Sequence, residues 1–266
     1  MRKVYLVGAG PGDPELLTVK ALRVLRESNV VLHDDLVTQD ILSWIPASAV
    51  VKNVGKRRRK KLICQEEINA LMIAHAIAGR LVVRLKGGDP LIFGRAGEEI
   101  EALRRAGIPF EVVPGVTAAL AAAAAARISL TDRRYAGKLL FLSGRRAAES
   151  LCEYKDRAVP PGLTVVLYMP GEEYSRIARQ LIDAGFDAAT PCAIVSGAAT
   201  EFEQIGRTTL GSLHETASYP APALLIVGEV AAQADLPGHA TTRPRRGSAG
   251  EFASTLAGKT GLFLPD

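Results

Sequence analysis

Short apolar runs that end in polar, glycine-bearing loops, each followed by a stretch with helical spacing, recur from the first residues onward. Val4 to Val7 ends at GAGPGD (8–13), and Val30 to Leu32 ends at His33 and Asp34. Ala49 to Val51 closes at Gly55, Leu81 to Leu85 at KGGDP (86–90), and Phe110 to Val113 at PGVT (114–117). Between them lie segments with an apolar stripe at helical period. Leu16, Leu17, Leu22 and Leu25 supply one, and Asp13-Pro14-Glu15 reads as its start: N-cap, proline, acid in the first turn. Ile68, Leu71 and Met72 supply another, over 65–78 with Gly79 as its C-terminal stop, and Glu98 to Arg105 a third. Such alternation predicts a parallel sheet with helical crossovers, an α/β fold.

A second set of strands is predicted at Lys138 to Leu142, Thr164 to Tyr168, Cys192 to Val195 and Ala223 to Val227. A helix over Tyr174 to Ala184 lies among them, and an alanine-rich helix follows PGVT. The division into domains is therefore expected at 1–113 and 114–235. From about Leu236 the chain is rich in Gly, Pro, Ser, Thr and Arg, and 236–266 reads as a mobile tail.

Composition narrows the partners. Aromatics are 5% of the chain, which leaves few stacking platforms for single-stranded nucleic acid. A net charge of +5 suits an acidic ligand without saying which. Cys64, Cys152 and Cys192 are scattered and show no metal spacing, which fits a reducing, cytoplasmic setting and no metal site. MRKVYLVGAG has too short an apolar run for a signal peptide, and TAALAAAAAARISL is broken by Arg127 and too short to cross a bilayer.

Ligands of open α/β sheets bind beyond the carboxyl ends of the strands, where GAGPGD, HDDLV, GKR, KGGDP and PGVT all fall. GAGPGD matches a dinucleotide fingerprint poorly, because Asp13 holds the place of the third glycine, and small-residue packing at a turn would alone explain Gly8 and Gly10. Asp89 has two readings: a cap on the turn after its strand, or a ligand contact beside glycines that let a ligand reach the backbone. KRRRKK (56–61) reads as a solvated charge run, a nucleic-acid contact without aromatic interleaving, or a seat for several carboxylates. His33 and Asp34 are either an acid/base pair or a strand end bonded to its own loop.

Taken together, VGAGPGDPELLTVKAL, VGKR, QEEINAL, RLKGGDPLIFGRAGEE and IPFEVVPGVTAAL resemble the tetrapyrrole (precorrin) methylases. LYMPG, TPCAIV and PALLIVGEV continue the resemblance to about Val230, and it is nearest to those members that C-methylate uroporphyrinogen III. The resemblance implies two α/β domains: a parallel-sheet N-terminal domain with the catalytic and substrate loops, and a mixed-sheet C-terminal domain. A cleft between them would hold S-adenosyl-L-methionine (SAM), released as S-adenosyl-L-homocysteine. Gly87, Gly88 and Asp89 would contact SAM, with Pro11, Ile92, Thr117, Ala118, Met169 and Ala198 lining its pocket. Asp34 would accept a proton, Lys56 would donate one, and Arg57 would meet the substrate. The implied reaction methylates carbons 2 and 7 of uroporphyrinogen III to give precorrin-2, for siroheme or cobalamin, in a cytoplasmic homodimer with no metal, nucleic acid or membrane partner. No fused dehydrogenase-chelatase module is expected in a chain of 266 residues.

Several positions depart from that pattern. His33 stands for a tyrosine, Lys61 for a histidine, Ala125 for a tyrosine and Arg127 for a glycine. Ser129 stands for a proline, Asp132 and Arg145 for histidines, Ser196 for a glutamate and Ala198 for a glycine, and Pro170 follows Met169 where glycine is common. These changes flank the expected substrate side or the second domain. They leave open a methylase of another precorrin or of a non-tetrapyrrole acceptor, or a protein that binds SAM or a tetrapyrrole without turnover.

Overall fold

The structure, a computed structural model, describes residues 2–55, 63–144 and 159–235. Of these, 2–9 with 13–115 form one unit, and 10–12 with 116–235 form the other.

The first unit is a five-stranded sheet of β1 (Val4–Gly8), β2 (Val30–His33), β3 (Val50–Asn53), β4 (Val82–Lys86) and β5 (Phe110–Val113). Its order is β3-β2-β4-β1-β5, and every pairing is parallel. Helices cover both faces, as a parallel sheet requires. On one face Val7, Val31, Val83 and Leu85 pack against Ala21, Val24 and Leu25 of α1 (Val19–Arg26) and Ile41 of α2 (Gln39–Leu42). On the other, Val4, Leu6, Val30, Leu32 and Val82 pack against Ile68 and Met72 of α3 (Gln65–Ile77) and Leu103 of α4 (Ala96–Arg105).

The first helix starts later than Asp13-Pro14-Glu15 suggests. The Asp13 carboxylate accepts from the Glu15 amide at 2.8 Å, but this closes only a 3-10 turn over Pro14–Leu16. Leu17 is extended, and the Thr18 hydroxyl then caps α1 by accepting from the Ala21 amide at 3.1 Å. Two capping side chains lie five residues apart, and the second one opens the helix.

The second unit contains α5 (Ala118–Ala125) and α6 (Tyr174–Asp183) with β6 (Lys138–Ser143), β7 (Leu163–Tyr168), β8 (Pro191–Ser196), β9 (Gln204–Thr209) and β10 (Ala223–Val227). The strand order is β6-β7-β10-β8-β9, parallel only between β6 and β7, so this sheet is mixed. Its core joins Val165, Leu167, Ile194, Leu225 and Val227 to Tyr174, Ile177 and Leu181 of α6. Edge strand β9, unforeseen from the sequence, is half exposed and carries Gln204, Gly206 and Arg207 in place of an apolar run. No helix among the described residues is long and apolar enough to cross a membrane.

Candidate active site

The order of the first sheet sets the carboxyl ends of β2, β4, β1 and β5 in a row, so HDDLV, KGGDP, GAGPGD and PGVT emerge side by side. Three glycines permit their close approach. A Cβ on Gly8 would lie 2.6 Å from Gly115 Cα and 2.7 Å from the Gly88 carbonyl oxygen, distances that real Cβ atoms do not adopt. Asp89 ties two of these loops together: one carboxylate oxygen accepts from the Leu91 amide at 2.8 Å, the other from the Gly115 amide at 2.9 Å. The turn-capping reading of Asp89 therefore describes its side chain, and both oxygens have partners within the protein. A Cβ on Gly87 would meet Leu36 Cβ at 3.0 Å, so the loop after β2 and the GGD loop touch.

Asp34 stands at that contact. Its amide donates to the Leu85 carbonyl at 3.2 Å, and its side chain is 30% exposed. The carboxylate pairs with the Arg84 guanidinium, not with His33. His33 is buried and its Nδ1 lies 3.0 Å from the Asp34 carbonyl, which can only accept, so the ring nitrogen donates and the strand-end reading holds. Behind Asp34 runs a chain of buried charge. Arg84 Nε donates to Glu99 Oε1 at 2.9 Å, and Lys86 Nζ donates to the same oxygen at 3.1 Å. Gln65 Nε2 donates to it as well, at 3.3 Å. Burial opposes the charge on Arg84, but the Asp34 and Glu99 carboxylates outweigh it and hold the guanidinium above its usual value. Burial, reinforced by Arg84, holds the Lys86 ammonium below the ordinary lysine value despite Glu99. The sequence reading missed Arg84, Lys86 and Glu99. The available signal was two cations at alternate positions of a strand otherwise apolar, since such residues are rarely buried unless paired.

In the second unit, Thr117 precedes α5 and its hydroxyl lies 2.7 Å from the Tyr168 hydroxyl. The Ala119 amide donates to that Tyr168 oxygen at 3.3 Å, so the end of β7 holds the start of α5 and with it Thr117 and Ala118. Met169, next along, has a left-handed backbone (φ +53°) and a side chain open to solvent, a strained conformation of the kind concentrated at functional sites. Ala198 is buried and Pro11 half-buried. In the first unit Ile92 follows the GGD turn, where Phe93 and Arg95 are also left-handed. Lys56 and Arg57, the expected proton donor and substrate contact, lie outside the described residues, as do Lys61, Arg145 and the 236–266 tail.

Two departures have local roles. Asp132 accepts from the backbone and guanidinium of Arg134, which pull its carboxyl down to about 2. Ser196 is buried and donates to the Pro220 carbonyl.

A family model described as Tetrapyrrole (Corrin/Porphyrin) Methylases matches residues 3–214. The uroporphyrinogen-III C-methyltransferase of Paracoccus denitrificans (strain Pd 1222) is 45% identical over 239 residues, 88% of this chain and 83% of that protein. A siroheme synthase of Psychrobacter sp. (strain PRwf-1) is 46% identical over 232 residues, which is 86% of this chain and 48% of the relative. The chain thus spans about half the length of the siroheme synthases it matches. Uroporphyrin-III C-methyl transferase from Thermus thermophilus, in a crystal structure complexed with S-adenyl homocysteine, superposes with a TM-score of 0.73 at 41% identity, over 86% of this chain and 98% of that one. With the family match running from β1 past β9 and a relative 45% identical over 88% of its length, this chain belongs to the tetrapyrrole (corrin/porphyrin) methylase family.

Proposed function

We propose that this chain is a SAM-dependent methyltransferase that C-methylates uroporphyrinogen III at carbons 2 and 7 to give precorrin-2. One observation supports this above others: a part-exposed carboxylate, Asp34, is held by a buried cation at the end of β2, against the GGD loop at the end of β4. SAM supplies an electrophilic methyl group on a sulfonium; an electron-rich pyrrole carbon can attack it without further activation. The task left to the protein is alignment and disposal of a proton.

The residues suit such a cofactor. Gly87 and Gly88 bring no side chain of their own to the crowded strand ends, and Asp89 is engaged by two amides, so it shapes the loop. The Thr117 hydroxyl, fixed by Tyr168, and the small Ala118 and Ala198 are neutral surroundings fit for a nucleoside and an amino-acid tail. Asp34 accepts the proton that the methylated ring system must lose to regain conjugation, from a carboxylate that Arg84 holds in one orientation. Lys56 donates a proton in this reading, and Arg57 receives substrate carboxylates. The catalytic and substrate loops belong to the first unit in this reading. A homodimer in the cytoplasm, without a metal, nucleic acid or membrane partner, belongs to the same proposal.

Anaerobic incubation with SAM and freshly generated uroporphyrinogen III, followed by mass spectrometry, tests it. Gain of two methyl groups, with S-adenosyl-L-homocysteine formed in proportion, is the expected result. SAM consumption with no methyl on the tetrapyrrole, or none with any acceptor while SAM binds, overturns it.

A further inference from the structure

We infer that Arg84 is a positioning residue for Asp34, and that Glu99 and Lys86 fix Arg84 from behind. The inference rests on the reading of Asp34 as proton acceptor and extends it to three residues that do not face solvent.

Every nitrogen of the Arg84 guanidinium has an assigned partner. One terminal nitrogen donates to the Asp34 carboxylate, the other to the Leu32 carbonyl at 3.2 Å and the Leu85 carbonyl at 3.3 Å, and Nε to Glu99. The fork is therefore locked to the backbones of β2 and β4 at the register where Leu32 faces Arg84. Glu99 is fully buried on α4 and gathers Arg84, Lys86 and Gln65 on one oxygen, while its Oε2 has no hydrogen-bond partner among the described residues. Exposure rises along the chain of charge, from 0% at the Glu99 side chain and 3% at Arg84 to 30% at Asp34. Two cations and two carboxylates balance, with a single member open to a ligand.

Stability alone does not call for this arrangement. Buried ion clusters are often no more stable than apolar residues of similar volume, and Val82 on the same face of β4 packs into the apolar core. What the ions supply and an apolar residue cannot is direction. A carboxylate at a loop start has several rotamers, and a rigid two-sided fork selects one of them. Lysine could supply the charge but not the fork.

The test is a double-mutant cycle in the full chain, with Arg84→Met, Arg84→Lys and Asp34→Asn alone and combined. Turnover and KM for uroporphyrinogen III are measured alongside SAM affinity by calorimetry. We expect Arg84→Met to lower kcat by roughly 10- to 100-fold, the scale of a misplaced catalytic group, with KM and SAM affinity within about twofold. Arg84→Lys should recover part of that loss. In the Asp34→Asn background, adding Arg84→Met should slow turnover by no more than about twofold, because a group acting through Asp34 has nothing left to position. Glu99→Gln, which keeps an oxygen for Arg84, is a gentler second variant should Arg84→Met not fold. Its smaller loss should likewise vanish without Asp34. Losses that multiply in the double variant, or an unchanged kcat in Arg84→Met, overturn the inference while leaving Asp34 its role. Full turnover in Asp34→Asn alone overturns the proton-acceptor reading, and the inference with it.

Discussion

At residue scale, what a side chain bonds to decides between readings that the sequence leaves level. Asp34 and Asp89 are both carboxylates at strand ends, yet Asp89 spends both oxygens on amides whereas Asp34 is held through one oxygen and remains part-exposed. Asp34→Asn should therefore lower kcat by about 100- to 10,000-fold, the usual range for a lost general base, with SAM affinity by calorimetry unchanged. Full activity would remove Asp34 from the chemistry. Arg127 shows the opposite case, a residue whose position favours another type. The Arg127 amide bonds the Ala124 carbonyl at 3.2 Å and the Ile128 amide the Ala123 carbonyl at 2.9 Å, the two bonds of a Schellman cap after α5. Arg127 itself is left-handed (φ +54°) there, where α3 and α4 have Gly79 and Gly107. Arg127→Gly should stabilise the protein by about 1 kcal/mol in urea unfolding, since the Cβ strain exceeds both the added freedom of the unfolded chain and the exposed contact to Asp235. No gain in midpoint would mean that the arginine makes up for its backbone. Asp132 offers a pH reading. Its folded value of about 2 lies below the ordinary value near 3.9, so its contribution is complete above about pH 4 and is lost as pH falls toward 2. Carboxyl-carbon NMR should show that low midpoint, and Arg134→Ala should return it to near 4. An unchanged midpoint in the variant would exclude the Arg134 pairing as its cause.

At the scale of elements, the strand ends work as a unit because backbones touch. A Cβ on Gly115 would meet Gly8 Cα at 2.8 Å and the Gly88 carbonyl oxygen closer still, and none of these atoms belongs to a flexible side chain. Gly115→Ala should therefore cost about 2 kcal/mol or more by overpacking. It should also weaken SAM binding, because one of the groups displaced, the Gly88 carbonyl, belongs to the GGD loop itself. Calorimetry with intact affinity would show that the loops move independently. Such contacts explain what the sequence could and could not reveal. Phe110–Val113 and Ala223–Val227 were legible to the residue, since each is a short, mainly apolar stretch bounded by turn residues. Strand β9 was not, because an edge strand needs only one partner and can be polar. The GGD loop was legible as a motif, but the reason for its glycines was not. Leu36 and Gly115 lie far from it in the chain and reach it through the order of the strands. The Arg84–Glu99 chain was hidden for the same reason: residues 34, 84 and 99 meet only once β2 lies beside β4 and α4 crosses the sheet.

At the scale of the molecule, charge is the property that neither a single residue nor an element accounts for. The chain carries +5 overall, and six of its cations are consecutive, at 56–61. The proposed substrate bears eight carboxylates, so the two attract before any contact forms. Such attraction acts mainly on the rate of encounter, because exposed charges are weak in water and screened beyond about 8 Å at physiological salt. It predicts that kcat/KM for uroporphyrinogen III falls by about tenfold as salt rises from low to a few hundred millimolar, with kcat nearly constant. Replacing Arg58, Arg59 and Lys60 together by serine should raise KM and flatten that slope, while leaving turnover at saturation unchanged. The two observations separate causes that a single assay would merge. A steep slope that survives the triple replacement would mean that the field comes from the rest of the surface, and that the run at 56–61 is a solvated stretch with no part in binding. A flat slope in the unaltered protein would mean that substrate entry is limited by something other than encounter, and the basic character of the chain would then need a different ligand to explain it.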